Sequence, residues 1–361
     1  MAMRFGRKGI ERATGYTLAG WLLRAAACAV SLAGFATASG AAADGLHYRL
    51  IKSVTLGGEN GWDYLTVDPD ARRLFIARDT HVMVVDTASG MPVGDIAGLA
   101  HVHGVALAGD RGYISDGGAN SVVVFDRRTL AKVGEIRAGT GPDGILYDPF
   151  SHRVFAFNGR SGDATAIDAA TGQVVGTVPL GGKPEAAASD DRGVIYVNIE
   201  DKGAVAAFDS KTLAVRRRWP LAPCSNPSGM AIDMAHERLF SGCRNALIAV
   251  SDTRSGTVVT TIPIGQGVDA NRFDSDDGLV FSSNGFSGTL TVAREVTPND
   301  YRVLENVPTA RSARTMALDS KTHRVYLVAA DIKPIPNPQP HGRRFTVVRG
   351  TFRVLILAPT G

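Results

Sequence analysis

The sequence predicts an all-β protein with the architecture of a seven-bladed β-propeller. Four short apolar runs, separated by turn residues, form a unit of about forty residues that recurs from Gly61 to the C-terminus. One such unit cannot bury both faces of its small sheet, so the units must pack radially against one another. No helical periodicity of useful length follows residue 43.

The unit count depends on two features of the repeat. The third run of a unit ends in an aspartate, and Asp86, Asp126, Asp168, Asp209 and Asp252 are spaced 40, 42, 41 and 43 residues apart. A sixth third run follows at Leu290–Ala293. The first run marks seven units, at Leu65–Asp68, Val105–Leu107, Ile145–Asp148, Ala186–Ser189, Ala231–Asp233, Arg272–Asp274 and Met316–Asp319.

The last unit lacks a fourth run. It ends with Phe352–Leu357, whereas an extra strand-like run, Tyr48–Leu56, precedes the first unit and resembles Val258–Ile264. We predict that this N-terminal run is the outer strand of the last blade. Pairing the two chain ends in one sheet would close the ring and remove an exposed edge.

Residues 1–43 have the pattern of a secretory signal peptide. A basic start precedes an apolar stretch that begins at Leu18, is broken by Arg24 and ends near Phe35, and Ala41–Ala43 then offers small residues for cleavage. The uncharged stretch is too short to span a membrane. We expect cleavage after Ala43, a propeller of residues 44–361 that is periplasmic or secreted, and no transmembrane segment in the mature chain. Lipidation at Cys28 is the weaker alternative.

Removal of this segment changes the charge balance. It carries five of the 39 basic residues and one of the 35 acidic residues, which leaves 34 of each in the mature chain. A broad positive field for nucleic acid is therefore not expected. The expected partner is a small molecule or a periplasmic protein, and the expected oligomeric state is a monomer.

Cleavage also leaves an even pair of cysteines, Cys224 and Cys243. The first lies in the loop that enters the fifth unit and the second at the end of that unit's second run. Both positions open on the same face of a propeller, so we predict a disulfide between them. A metal site or a reactive thiol is the alternative.

Ionisable residues recur where the first run of each unit begins, at the mouth of the central channel. The seven positions are Asp63, His103, Asp143, Glu185, Ser228, Asp269 and Arg314. Clustered carboxylates raise one another's pKa unless a cation neutralises them, and Arg314, His103 or a divalent metal ion could do so. The loops between the second and third runs add Arg78, Asp116, Asn158, Arg160, Asn198, Glu200, Arg244 and Asn284. The structural alternative is a water-filled channel whose polar groups satisfy one another.

The loop from Asp331 to Gly350 is longer than its counterparts in the other units. Pro334, Pro336, Pro338 and Pro340 alternate in it and cannot donate ladder hydrogen bonds. We expect an extended, unpaired and mobile flap over the channel face, with a passive surface insertion as the alternative.

The second runs resemble those of a known family. Ile195-Tyr-Val-Asn198, Gly112-Tyr-Ile-Ser115 and Val325-Tyr-Leu-Val328 are similar to the Tyr-Val-Thr-Asn strand of YVTN-repeat, or YncE-like, bacterial exported propellers. The resemblance covers the whole mature chain and implies a seven-bladed ring in the periplasm. It does not fix an activity, and the superfamily also resembles the propellers of quinoprotein amine dehydrogenases and lactonases.

Two functions follow from these residues. The first is a binding or protein-interaction propeller that uses its polar channel face. The alternative is a metal-assisted hydrolase or lactonase, in which Asp63, Asp143, Glu185 and Asp269 are metal ligands or bases and His103 carries the proton. No Ser-His-Asp order, nucleophile elbow or haem motif is present. Whether the protein is an enzyme is left open, and a divalent metal ion is the one cofactor considered.

Overall fold

The structure is a computed structural model that describes residues 45–59, 61–336 and 345–360. The predicted signal peptide, residues 1–43, and its cleavage site lie outside these ranges. Within them the secondary structure is β-strand apart from one turn of 3₁₀-helix, Glu200–Lys202. No helix in these ranges has the length and apolar character needed to cross a membrane. The described part of the chain is therefore all-β, as predicted.

The strands follow one another in short hairpins. Those of the N-terminal part are β1 (His47–Thr55), β2 (Leu65–Asp68), β3 (Arg73–Ala77), β4 (Asp79–Asp86), β5 (Pro92–Ala108), β6 (Arg111–Asp116), β7 (Ser121–Asp126), β8 (Lys132–Arg137), β9 (Pro142–Asp148), β10 (Arg153–Asn158), β11 (Asp163–Asp168), β12 (Val174–Pro179), β13 (Pro184–Ser189) and β14 (Val194–Ile199). Those of the C-terminal part are β15 (Ala204–Asp209), β16 (Val215–Pro220), β17 (Pro227–Asp233), β18 (Arg238–Cys243), β19 (Leu247–Asp252), β20 (Thr257–Pro263), β21 (Val268–Asp274), β22 (Leu279–Asn284), β23 (Thr289–Thr297), β24 (Asp300–Pro308), β25 (Met316–Asp319), β26 (Arg324–Ala329), β27 (Ile332–Pro334), β28 (Phe345–Val347) and β29 (Arg353–Thr360).

These strands form antiparallel sheets that follow the sequence repeat. Four sheets are simple four-stranded meanders, β9 to β12, β13 to β16, β17 to β20 and β21 to β24. All seven first runs lie within strands, and the aspartates that mark the third runs end β4, β7, β11, β15 and β19. Their side chains have a structural role: Asp126 Oδ1, for example, accepts hydrogen bonds from the amides of Arg128 and Thr129 at 3.0 and 2.7 Å. The repeated aspartate is therefore a turn former.

The first two units share one seven-stranded sheet, in the order β2 to β8. The long β5 pairs with β4 through its first part and with β6 through its second. Prolines begin β9, β13 and β17, where later units start, whereas β5 passes from one unit to the next without one. It bends instead at Gly98 and His101, whose φ angles are 72° and 58°.

The two ends of the chain meet in one sheet, ordered β1-β29-β26-β25. Strand β1 is mostly exposed, but Tyr48 is only 2% exposed and packs edge-on against Phe281 at 5.0 Å between ring centroids. The Tyr48 hydroxyl donates to the carbonyl of His323 at 2.9 Å. The N-terminal run thus contributes an outer strand to the last unit, as expected.

The hydrophobic core lies between neighbouring units of the repeat. Among the described residues it is divided into clusters, six of which join two successive units. Phe155 and Phe208, for example, meet at 5.3 Å between the sheets that contain β10 and β15. Another cluster contains Leu65 and Ile76 of the first unit together with Tyr326 and Ile356 of the last. Stacked sheets therefore bury each other's faces along the whole repeat.

Cys224 and Cys243 form the predicted disulfide, with Cα atoms 5.4 Å apart. The bond links the loop before β17 to the end of β18, and Cys243 is fully buried. The metal-site and free-thiol alternatives do not apply to this pair.

The expectation of an unpaired loop at 331–350 was wrong for its described ends. Ile332, Lys333 and Pro334 in β27 pair with Val347, Thr346 and Phe345 in β28. Among the six paired residues only Pro334 lacks an amide hydrogen, and it lies at the end of β27, so a short ladder still forms. An ion pair between Arg349 and Glu59, 2.7 Å long, ties the base of this hairpin to the chain before β2.

Candidate functional site

The ionisable residues predicted at the channel mouth, here called the ring, lie where the first strand of each unit begins. These first strands are the inner strands of the units. Asp63 precedes β2, His103 lies in β5, Asp143 and Asp269 are the second residues of β9 and β21, and Arg314 precedes β25. Hydroxyl groups join neighbouring units of the repeat at these points. Thr315 Oγ1 donates to the carbonyl of Asp63 at 2.9 Å, and Ser115 Oγ donates to the carbonyl of Asp143 at 2.5 Å.

Two carboxylates flank the imidazole of His103. Nδ1 of His103 lies 2.7 Å from Asp63 Oδ2 and 3.6 Å from Asp143 Oδ1. The three side chains are 16 to 21% exposed. Burial lowers the pKa of His103, but the hydrogen bond to Asp63 and the charges of Asp143 and Asp63 outweigh it, so the pKa is raised. The imidazolium is therefore favoured at this position.

Arg314 lies beside Asp63, with Nη2 3.8 Å from Asp63 Oδ1. Its Nη1 donates to Asp269 Oδ2 at 2.6 Å, and its Nη2 donates to the carbonyl of Trp62 at 2.6 Å. Ser228 Oγ donates to the other oxygen of Asp269 at 2.7 Å. Burial still raises the pKa of Asp269, although Arg314 opposes this. A guanidinium with two fixed acceptors is a rigid element of the ring.

A third polar group surrounds Lys183. Its ammonium lies 2.6 Å from Glu185 Oε1 and 2.5 Å from Glu200 Oε2, and Arg244 Nη2 lies 2.8 Å from Glu200 Oε1. Lys183 therefore bridges the two carboxyl groups. Burial and the charge of Asp143 raise the pKa of Glu185. Burial also acts to raise the pKa of Glu200, but the contacts with Glu185, Lys183 and Arg244 outweigh it, so that pKa is lowered.

Tyr64 lies among these groups. Burial raises its pKa well above the usual value, and the charges of Asp143, Glu185 and Asp63 raise it further. The same environment acts on Asp143, whose pKa is raised to about 6 by burial and by the charge of Asp63. The inner strands thus place a set of partly buried acids around one phenol.

A cavity of ≈ 960 Å³ opens above the ring, whose polar side chains form the floor of the cavity. Asp63, His103, Asp269 and Arg314 form its polar part, together with Arg244 and the second His–Asp pair, His101 and Asp79. Its apolar part is supplied by Trp62, Val268, Phe286, Ile332, Ile335, Phe345 and Val347. The rings of Phe286 and Phe345 lie 6.5 Å apart, so the β27–β28 hairpin and the loop after β22 form one apolar wall.

The candidate residues that the second loops supply fall into different groups in the structure. Glu200 and Arg244 join the ring, whereas Arg160 is exposed. The three asparagines are fully buried at the ends of β10, β14 and β22. Asn158 and Asn284 donate to Thr165 and Thr291 of the adjacent strands at 2.9 and 2.8 Å. Asn198 donates to the carbonyls of Ser228 and Gly229, both at 3.0 Å. These amides therefore join strands and sheets and do not contribute to the cavity.

Sequence reasoning missed Lys183, Tyr64 and the apolar wall. Lys183 stands two residues before Glu185, and Tyr64 follows Asp63 directly. An inspection of the residues adjacent to each predicted ring position would have found both. The apolar wall could not be found in this way, because Phe286 and Phe345 come from different units and meet only in the folded structure.

One set of donor atoms in the ring could hold a metal ion. The ligand atoms of Asp63, His103 and Asp143 all lie within 4.8 Å of one another. Glu185 and Asp269 are engaged by Lys183 and Arg314 instead. The donor set is thus narrower than the sequence predicted.

The comparisons with known proteins agree with a β-propeller family. No family model matches the chain. A segment of 150 residues is 29% identical to the protein named uncharacterized protein YncE of Salmonella typhi and covers 38% of this chain and 41% of that protein. The chain thus spans less than half the length of the relative it matches.

Solved structures are similar to a larger part of the chain. The structure of U3-55K superposes with a TM-score of 0.69 at 12% identity, over 85% of this chain and 98% of the other. The WD40 repeats of RRP9 superpose with a TM-score of 0.72 at 12% identity, over 86% and 99%. At this identity the likeness shows the fold alone.

Proposed function

We propose that this chain is an exported, monomeric propeller of seven blades that belongs with the YVTN-repeat, YncE-like proteins. Seven first runs in the sequence, the pairing of β1 with β29 and the cluster that unites the first and last units support a ring closed by the N-terminal strand. The Cys224–Cys243 bond and the N-terminal pattern of the sequence support a periplasmic or secreted location.

We further propose that the propeller is a binding module for a small molecule. The observation that carries this proposal is the cavity of ≈ 960 Å³, in which a polar floor faces an apolar wall. Ligand sites commonly combine an apolar lining with a few fixed polar groups. Here the polar groups hold one another in place. Arg314 Nη1, for example, lies 2.6 Å from Asp269 Oδ2. Because the side chains are already ordered, ligand binding costs little side-chain entropy.

The charge of the floor indicates the ligand class. Four carboxylates line the cavity, those of Glu59, Asp63, Asp79 and Asp269, together with two guanidiniums, Arg244 and Arg314, and two imidazoles, His101 and His103. The surplus of carboxylates over guanidiniums favours a cationic group on the ligand, and the aromatic wall favours an apolar body. We therefore propose an amphipathic organic amine.

The test compares aralkyl amines with aralkyl carboxylates of the same carbon skeleton. Trp62 lines the cavity, so its fluorescence and the melting temperature report binding. Asp269→Asn should weaken amine binding by at least ~10-fold, because a charge-assisted contact contributes roughly 1.5–3 kcal/mol. The matched control is Asp68→Asn, which alters an ion pair of the same 2.6 Å length, Arg127–Asp68, outside the cavity. Equal binding of both series, or equal effects of the two variants, would contradict the proposal.

Binding of a periplasmic protein is the second form of this function. Phe286 is 58% exposed and Phe345 is 38% exposed at the cavity, which favours an apolar anchor from a partner. Cross-linking in the periplasm from a photoreactive residue at 286 should then trap one defined partner, whereas the same residue at exposed Val133 should not. Equal trapping from both positions would count against this form.

The metal-assisted hydrolase remains the alternative, and the Asp63–His103–Asp143 set is the observation that favours it. A bound divalent ion would activate a water molecule at the cavity floor. Metal analysis after mild dialysis, followed by ester and lactone hydrolysis assays of the loaded protein and of His103→Gln, tests it. Hydrolysis that needs both the metal ion and His103 would favour this alternative over a binding module.

A further inference from the structure

A second cluster of ionisable groups lies at the opposite ends of the inner strands from the ring. Asp233 is the last residue of β17, and His236 follows it in the turn to β18. Glu295 belongs to β23 in the next sheet. The cluster therefore bridges the seam between two neighbouring sheets.

The length of the β23–β24 hairpin brings Glu295 to this seam. Both strands have nine residues, whereas β18 and β19 in the preceding sheet have six. The extended tip lies over the β17–β18 turn and is fixed there by Arg238. Its Nε donates to the carbonyl of Pro298 at 2.8 Å and its Nη2 to Asn299 Oδ1 at 2.9 Å.

Both carboxylates of this cluster are buried; Asp233 Oδ1 accepts from the amides of Ala235 and His236, whereas Glu295 lacks hydrogen-bond donors. The side chains of Asp233 and Glu295 are only 3% and 7% exposed. Nδ1 of His236 lies 2.7 Å from Asp233 Oδ2 and 2.9 Å from Glu295 Oε1, yet it carries a single hydrogen. Neither carboxylate oxygen of Glu295 accepts a hydrogen bond.

The neighbouring guanidinium does not supply what is missing. The remaining contacts of Arg238 go to Asp252 Oδ2 at 2.8 Å and to the carbonyls of His236 and Glu237. A buried carboxylate without hydrogen bonds is strongly unfavourable unless a cation is bound to it. The geometry therefore calls for one more positive group between Asp233, His236 and Glu295.

We propose that these three side chains bind a divalent transition-metal ion of the zinc class, which joins the β17–β18 turn to the β23–β24 hairpin. Their ligand atoms all lie within 4.8 Å of one another. One imidazole nitrogen and two carboxylates suit zinc and its neighbours, whereas calcium prefers six to eight oxygens. Metal–ligand bonds of about 2.1 Å place tetrahedral ligands ~3.4 Å apart, so the three side chains must separate by several tenths of an ångström.

The site is open on one side. His236 is 51% exposed, so water can complete the coordination and the ion can enter from solvent. Its expected role is structural, because a metal ion here would tie two sheets together at a point where the metal-free chain leaves a buried carboxylate unsatisfied.

The test uses the mature protein, first treated with a chelator and then titrated with zinc chloride. Calorimetry and metal analysis after dialysis should give one ion for each chain at this site. Glu295→Gln and His236→Gln should each weaken zinc binding by at least ~10-fold, since even outer-shell changes cost 10- to 100-fold. His323→Gln is the matched control, because it alters a different His–carboxylate cluster, that of Asp274, Asp277 and His323.

Thermal melting distinguishes a metal-binding site from a buried acid that binds no metal ion. Without metal, Glu295→Gln should melt at or above the parent temperature, because it removes a charge beside Asp233. Added zinc should raise the melting temperature of the parent and of His323→Gln but not that of Glu295→Gln. Zinc binding that persists in Glu295→Gln and His236→Gln, or that is lost in His323→Gln alone, would overturn the proposal. So would an absence of zinc binding, or a metal-free Glu295→Gln protein that melts well below the parent.

Discussion

Replacement of Asp143 by asparagine should stabilise the protein at pH 8. Burial and the charge of Asp63 raise the pKa of Asp143 from 3.8 to about 6. Because the folded pKa lies above the unfolded one, the stabilising contribution of the protonated form is complete below pH 3.8 and is lost as the pH rises through about 6. Above that range the ionised carboxylate opposes folding.

The structure sets the magnitude. The separation between 3.8 and about 6 corresponds to on the order of 3 kcal/mol, at about 1.4 kcal/mol for each pH unit. The side chain is 21% exposed, so solvent screens it only in part. Asparagine keeps the shape without the charge, and the nearest imidazole nitrogen, at 3.6 Å, is too far for a strong hydrogen bond. For a chain of this length the gain amounts to a rise of about 4 °C in melting temperature.

The assay is thermal melting of the parent and Asp143→Asn from pH 4 to pH 8. The difference should be largest at pH 8, shrink below pH 6 and vanish near pH 4. Asp168→Asn is the control, because hydrogen bonds from Thr171 lower the pKa of Asp168 and its carboxylate therefore supports the fold. A gain that does not change with pH, or a loss of stability at pH 8, would refute the reasoning.

Three further outcomes are expected. Tyr48→Ala should destabilise the protein by roughly 3 kcal/mol or more in denaturant unfolding, because it removes the buried ring that anchors β1. Leu50→Ala is the control on the same strand; Leu50 is 41% exposed, so its replacement should change the free energy of unfolding by less than ~0.5 kcal/mol. Similar effects of the two variants would contradict the anchoring role. Cys243→Ser should lower stability by about 3 kcal/mol, and reduction of the parent should match it; a reduced parent as stable as the oxidised one would rule this out. Mass spectrometry of the exported protein should find its N-terminus at Asp44, and a form that begins at a lipidated Cys28 would count against cleavage after Ala43.

The asparagines and the acids of the channel face show what sequence reasoning could and could not reach. The entering positions were found because each follows a fixed step in the repeat, and Asp63, His103, Asp269 and Arg314 do line one cavity. The second-loop positions share the same regularity, yet Asn158, Asn198 and Asn284 turn into the sheets. Where a strand ends is set by the repeat, but the direction of its last side chain depends on which hydrogen-bond partners the neighbouring strand offers.

The sequence by itself predicted the β-strands of the repeat, their order and the pairing of Cys224 with Cys243. Period, turn residues and alternation are local properties, so they can be read along the chain without knowledge of the contacts. Strand β5 shows the limit of this local information, because it runs from one unit into the next where two separate strands were expected.

Only the tertiary structure decided which ionisable groups meet. Lys183 lies between two glutamates of which one stands 17 residues away, and Glu295 reaches Asp233 across 62 positions of sequence. The apolar wall of the cavity likewise needs Phe286 and Phe345 from different units. Such pairs form because stacked sheets bring their turns together, and the burial that raises the pKa of Asp143 exists only once that stacking is complete.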